Sequence, residues 1–407
     1  LNIRNDLNGK TSLEATAKIT PDSEMLDASI NMERMNIAYA EPFLKTVFND
    51  MGGYMSGKVM LSGPIRDIRI SSEAARLDNA MLQVAYTNVP YFAEGAFHID
   101  DYGVYFDDIR IKDRYSGTGS VTGSINWNRF KDISFDTKIK VVDIEGINVT
   151  EQMGESFYGN IFGTGNVSIT GPSKSVTLNI DAVTAKTGQI HIPVTDAATA
   201  GRGTNLLKFK EYENIYIDPY ELMMTNLEKK EEADQADLTV NVRVSTSPDV
   251  EAFVEIDKAS GNVLSGRGNG VLDLAVTQEA FSINGDYTLT GGNYKFVAMG
   301  LVSRDFEIQD GSSVRFNGDI LESTLDINAI YKTKASLSAL IADTTSVSNR
   351  RTVECGISIS DKIRNPRLSF SIEIPDLDPT IKSRVESALS TEDKIQKQFL
   401  SLILSNS

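Results

Sequence analysis

The segment "ADLTVNVRVST", residues 236–246, sets Leu238, Val240, Val242 and Val244 against Thr239, Asn241, Arg243 and Ser245 in strict alternation. Successive side chains of a strand point to opposite faces, so a period of two gives a strand with one dry and one wet face. The same pattern recurs along nearly the whole chain. It is present at Leu13, Ala15, Ala17, Ile19; at Leu26, Ala28, Ile30, Met32; at Phe135, Thr137, Ile139, Val141; and at Val176, Leu178, Ile180. It returns at Val250, Ala252, Val254, Ile256 and at Leu368, Phe370, Ile372, Ile374. The constraint on the fold is therefore a sheet whose dry face must touch something.

The chain has 407 residues, 41% hydrophobic and 24% charged, with 30 Gly and only 11 Pro, which is the composition of an ordered protein and not a disordered one. A repeat architecture need not divide into compact domains as length alone suggests. The net charge of −16, with no Lys/Arg cluster, excludes nucleic acid and electrostatic docking on anionic lipid. The single cysteine, Cys355, excludes an internal disulfide and a thiolate metal cage. It lies on the apolar alternation Val353, Cys355, Ile357, Ile359 and is expected to be a buried small hydrophobe. The opening "LNIRNDLNGK" and the closing "FLSLILSNS" read as the ends of a fragment, and no apolar run reaches the roughly 18 residues of a membrane span, so any anchor is expected outside this segment.

A phrase repeats: "GKVMLSGPIRDIRI" from Gly57 and "GNVSITGPSKSVTL" from Gly165, each a strand, a Gly-Pro corner and a new strand. "GTGSVTGSINW" from Gly117 and "GRGNGVLDLAV" from Gly266 are looser relatives. Short helices are expected before the two full copies, in "EPFLKTVFND" with Leu44, Val47, Phe48 and Met51 at helical spacing, and in "TEQMGESFY" with Met153 and Phe157. In "YTLTGGNYKF", Gly291-Gly292 predicts a two-residue hairpin turn. The charged stretch "NLEKKEEADQAD" predicts a solvated loop over 226–237 that divides the chain, with 1–225 before it and 238–377 after it. Residues 378–407 close the chain as helices. Asp378 and Pro379 open one carrying Ile381, Val385 and Leu389; Ser390 and Asp393 stand in capping-box spacing before an amphipathic second one. Packing argues that both plug the last part of the sheet; the alternative is a free helix for a membrane surface or a partner.

Catalytic motifs are lacking. The only histidines, His98 and His191, lie between apolar residues on strands, and no His-x-x-x-His, Cys-x-x-Cys or Gly-x-Ser-x-Gly occurs. The carboxylates of "HIDDYGVYFDDIRIKD" lack the calcium-loop pattern and read as turn and strand-end positions. The Gly-rich runs lead into strands and lack the Lys-Ser/Thr of a P-loop. The chain is expected to be no enzyme, with no cofactor and no metal.

The run from "STSPDVEAFVEIDKASGNVLSGRGNGVLDL" through "GDYTLTGGNYKF", "FEIQDGSSVRFNGDILESTLDINAIYKTKASLSAL" and "NPRLSFSIEIPDLD" to "STEDKIQKQFLSLIL" closely resembles the carboxy-terminal region of the TamB family, in its Bacteroidetes-type form. The Gly-Pro units resemble that family's upstream AsmA-like repeats. The resemblance implies a mainly β fold: a long, twisted, mostly antiparallel sheet bent into an open groove, a β-taco, with short helices between repeats and helices at its carboxy terminus. It implies an inner-membrane anchor outside this segment, a periplasmic location in a Gram-negative cell, phospholipid acyl chains as cargo and a BamA-family outer-membrane partner, TamA. The implied groove floor is Leu238, Val240, Val242, Val244, Val254, Ile256, Leu272, Leu274, Leu325, Ile327, Ile357, Ile359, Leu368, Phe370 and Ile372. The implied partner-contacting helix face is Ile395, Phe399, Leu402 and Ile403. Alternation alone fits a closed sandwich or barrel equally well; the resemblance decides for the groove. Two other classes are a β-rich binding module, which needs aromatic-polar pockets in its loops, and a scaffold that offers a sheet edge to nascent outer-membrane proteins.

Overall fold

A computed structural model describes residues 2–7, 10–20, 24–40, 48–84, 87–128, 131–153, 157–193, 237–257, 261–277, 280–298, 302–336 and 350–404. Among these residues the chain forms nineteen strands in one sheet and two short α-helices. The first strands are β1 (Asn2–Leu7), β2 (Lys10–Thr20), β3 (Met25–Asn36), β4 (Phe48–Pro64), β5 (Arg69–Val84) and β6 (Val89–Asp100). β7 (Gly103–Lys112), β8 (Thr118–Asn128), β9 (Lys131–Val149), β10 (Tyr158–Pro172) and β11 (Ser175–Pro193) follow. The remainder are β12 (Asp237–Thr246), β13 (Val250–Asp257), β14 (Asn262–Val276), β15 (Phe281–Ala298), β16 (Val302–Ile308), β17 (Ser313–Ser336), β18 (Arg350–Lys362) and β19 (Arg367–Glu373).

From β1 to β11 each strand pairs antiparallel with the next, as short connections require. The order changes at one place: β12 and β13 lie end to end, both parallel to β11 and both antiparallel to β14. Antiparallel pairing then resumes. β15 pairs along its second half with β16 and along its first half with the start of β17, and β17, β18 and β19 complete the sheet. The sheet is thus continuous across the position of the charged segment, of which only Asp237 is described, as the first residue of β12. One long, mostly antiparallel sheet with few helices is the β-taco arrangement that the resemblance implies.

The Gly-Pro corners form as read. Gly63 (φ 117°) and Gly171 (φ 105°), each one residue before the proline that ends β4 or β10, stand in the left-handed region that favours glycine, and the chain then turns into β5 and β11. Other local readings are corrected. Residues 41–47 lie outside the described residues, but Phe48 and Met51 belong to β4. They pair opposite Val84 and Leu82, and a register shift between Phe48 and Asp50 puts residues three apart on the same face, which imitates helical spacing. Glu151–Met153 form a turn and Tyr158 already opens β10, so that expected helix is absent among the described residues as well. Gly291-Gly292 make no hairpin, because β15 runs straight through them. Gly292 faces Gly266, and a Cβ on it would come 2.2 Å from the Ser265 carbonyl oxygen, so Gly292 serves close strand approach where β15 changes partner.

The two helices are α1 (Pro379–Ala388) and α2 (Glu392–Leu404). Asp378 caps α1 as expected, its carboxylate accepting from the Thr380 amide at 2.9 Å. Both pack on the end of the sheet. Phe399 and Ile403 are 0% exposed and share one core with Phe306, Ile327, Val353, Cys355, Ile357 and Ile359. β15 and β19 are not neighbours in the sheet, yet the Phe296 and Phe370 rings lie 6.4 Å apart, so the last strands roll up around Phe399. A smaller core joins Ile37, Met51, Ala80, Ala93 and Ile109 near the other end.

Burial predicts unequal penalties along one face. Ile327→Ala should destabilise the chain by about 3 kcal/mol, whereas Val242→Ala should cost at most about 1 kcal/mol. Denaturant midpoints measure both, and equal losses would contradict a sealed end joined to an open middle.

Candidate functional site

Cross-strand pairing assembles the alternating residues into ranks. Ile109, Val121, Ile139, Val167, Ile180, Val242, Leu274 and Ile283 are successive direct partners across eight strands, β7 to β12, β14 and β15. At a strand spacing of about 4.8 Å this rank is about 34 Å long, comparable with the hydrocarbon thickness of a bilayer. A second rank runs alongside through Val141, Gly165, Ala182, Val244 and Leu272, and a third through Ile169, Leu178, Val240 and Val276. The middle members of the first rank are only half-buried, Val242 and Leu274 among them. A cleft of about 600 Å³ follows the first rank, lined by Ile139, Val167, Ile180, Val242 and Leu274 with polar neighbours such as Lys138, Asp181 and Arg243.

The expected floor residues fall into two groups. Leu238, Val242, Val244, Leu272 and Leu274 lie on the open stretch, with Leu238 36% exposed at its edge, while Val240 among them is buried. Leu325, Ile327, Ile357 and Ile359 lie on the rolled-up end, in one core with α2. Val254, Phe370 and Ile372 pack against that core from its margin, and Leu368 is 37% exposed. Ile256 stands in β13, but its side chain lies outside the described residues. The expectation that Phe399, Leu402 and Ile403 face a partner is corrected: they are buried in this chain's own core and have no surface left to offer, and Ile395 is half-buried. The physical reason is that an amphipathic helix beside an uncovered apolar sheet face buries its stripe there. Ile139, Val167, Ile180 and Ile283 join the floor beyond the residues expected there; alternation is the signal that marks Ile139 and Ile180.

Polar groups gather around the β7–β8 turn and on the face opposite the ranks. Glu145, fully buried, accepts from Arg114 at 3.1 and 2.9 Å and also from Asn160. Asp113 accepts from the amides of Tyr115, Gly117 and Glu145, each at 2.7 Å, which ties the β7–β8 turn to β9. The Tyr91 hydroxyl donates to the Glu145 carbonyl at 2.8 Å, and burial pushes that phenol well above its ordinary pKa. His191 is stacked between Tyr158 and Phe253, at 4.5 and 4.3 Å, with Nδ1 3.4 Å from Glu255, to which the Tyr158 hydroxyl donates. His98 stacks on Tyr105 at 4.6 Å. His191 is thus half-buried between two rings, whereas His98, with one ring beside it, stays exposed. Among the described residues no group of His, Cys, Asp and Glu is placed to hold a metal, and no helix is long and apolar enough to cross a membrane. Cys355 is buried on the apolar face, and burial pushes its thiol up to about 12.

The division of the face is open to chemical mapping. With Cys355 replaced by Ala, a cysteine introduced at Val242 or Leu274 should react with a water-soluble maleimide in the folded chain. One at Ile327 or Ile359 should react only after unfolding, and equal protection at all four would remove the distinction.

Two comparisons bear on this arrangement. The model of the family described as the TamB C-terminal domain matches residues 107–407, which include the open ranks from β8 onward and the rolled-up end. No curated protein matches the chain.

Proposed function

We infer function from kinship first: the chain belongs to the TamB family, whose model covers most of it. That family is of the Gram-negative envelope and is associated with outer-membrane assembly and lipid transport, acting within a complex. We propose that this segment is a non-catalytic conduit for phospholipid acyl chains across the periplasm, anchored to the inner membrane by a part of the protein outside it. Its outer-membrane partner in this reading is the BamA-family protein TamA.

The observation that carries the reading is the half-buried apolar rank from Val121 to Leu274. Each methylene removed from water contributes about 0.8 kcal/mol, so an acyl chain is held there without a polar hook while its headgroup stays wet. Neighbouring positions are chemically alike. A tail therefore meets similar energies from strand to strand and slides, where one tight site would trap it.

A second reading, a scaffold that receives outer-membrane strands by β-augmentation, draws on β19. That strand pairs with β18, and no second partner for it is present among the described residues, which leaves an edge from Arg367 to Glu373. The two readings differ in what co-purifies. The chain prepared without detergent from Gram-negative cells should carry phospholipid on extraction mass spectrometry, and Val242→Asp with Leu274→Asp should lose it while staying folded. A folded parent empty of lipid would falsify the conduit and favour the scaffold.

A further inference from the structure

The apolar face that is open at Val242 and Leu274 continues into the part covered by α2, and the two parts differ in cover, not in chemistry. Phe399 enters the terminal trough between Phe296, Phe306 and Phe370, with ring centroids 6.5, 5.9 and 4.5 Å away. Those rings stand on three different strands, so a single helical side chain fills the middle of the trough. The buried charged residues among those described, Asp113, Glu145 and Glu255, all lie elsewhere. An occupant of this trough that carried polar groups would leave them without partners, whereas a hydrocarbon needs none.

α2 is also separable from the fold. It follows α1 through Leu389–Thr391 alone and adds no strand to the sheet, so its departure breaks no ladder. Its outer side carries the exposed Glu392, Asp393, Lys394 and Lys397, and only its inner stripe is dry.

We propose that α2 is a displaceable stopper: the trough under it is an acyl-chain site, and Phe399, Leu402 and Ile403 occupy the place that a fatty acyl chain takes when the helix swings out. This rests on the acyl-groove reading and extends it to the carboxy-terminal end of the sheet. In the state described here the middle of the groove is open and that end is shut.

Cys355, the chain's only cysteine, lies in the same core and reports on the cover. The probe is cis-parinaric acid, and the protein is the full 407-residue chain. In the parent, Cys355 should resist a water-soluble maleimide. Phe399→Asp, with its strand signal in circular dichroism unchanged, should label roughly tenfold faster or more, and parinaric acid should slow the labelling again while binding at a higher stoichiometry than in the parent. Faster labelling with neither protection nor added binding overturns the proposal and leaves α2 an ordinary part of the core. Should Phe399→Asp fail to fold, hydrogen exchange in the parent decides: faster exchange across α2 on adding parinaric acid supports the stopper, and an unchanged rate overturns it. A parent that binds no parinaric acid overturns the groove reading itself. Binding that is lost in Val242→Asp but leaves α2 unaffected overturns the stopper alone.

Discussion

Strand register is the constraint on which the rest of this molecule depends. A slip of one residue in any ladder would turn that strand's apolar set to the wet face and break every rank that crosses it. The register shifts respect this. Phe106 and Ile109 are three apart yet share a face, because Asp107 and Asp108 form a bulge; Phe106 then meets Gly123, and Ile109 meets Val121. Leu77 and Ala80 are treated alike across from Gly95 and Ala93. Extra residues are absorbed as pairs or bulges, and the rank continues on the far side.

A single-layer sheet with a correct register still has a dry face and nothing to put on it. Sandwiches solve this with a second sheet; here one end is covered by rolling β15–β19 around α2, and a smaller core closes around Ile37 near the other. The middle keeps half-buried Val167, Ile180, Val242 and Leu274 in a continuous apolar surface, which in a protein without an occupant is an aggregation hazard. Folding and function therefore make one demand: the same uncovered area that destabilises the empty chain is what binds a hydrocarbon. The half-burial of the rank is the physical link between the two.

Features set by neighbours in sequence were legible. Leu238 to Val244 alternate on β12 as read, Gly63-Pro64 and Gly171-Pro172 are corners, and Asp378-Pro379 opens a helix. Features set by distant partners were not. Phe48 and Met51 imitate a helix until the bulge opposite Val84 and Leu82 is known, and Gly291-Gly292 imitate a turn until Gly266 is seen to press against Gly292. The Arg114–Glu145 pair joins residues far apart in the chain, and neither one stands out locally. As for the candidate site, its residue types were readable from alternation, but which of them are covered is a property of α2, and the stripe of Phe399, Leu402 and Ile403 reads the same whether it is seated or free.

The placement of charge completes the physical picture. Buried carboxylates in a cleft often mark catalysis, but Glu145 and Glu255 each stand where a ladder loses register, between Ile161 and Phe162 for the one and between Glu255 and Asp257 for the other. Each supplies hydrogen bonds to strands at a point where the backbone pairing is irregular: Glu145 through Arg114 and Asn160, Glu255 through Tyr158. Both face away from the apolar ranks, Glu255 sharing its side with Phe253 and His191 while Val254 points to the groove. These two carboxylates thus stand on one face, and the first rank on the other keeps side chains that differ little from strand to strand, which is the condition for a tail to move along it without being caught.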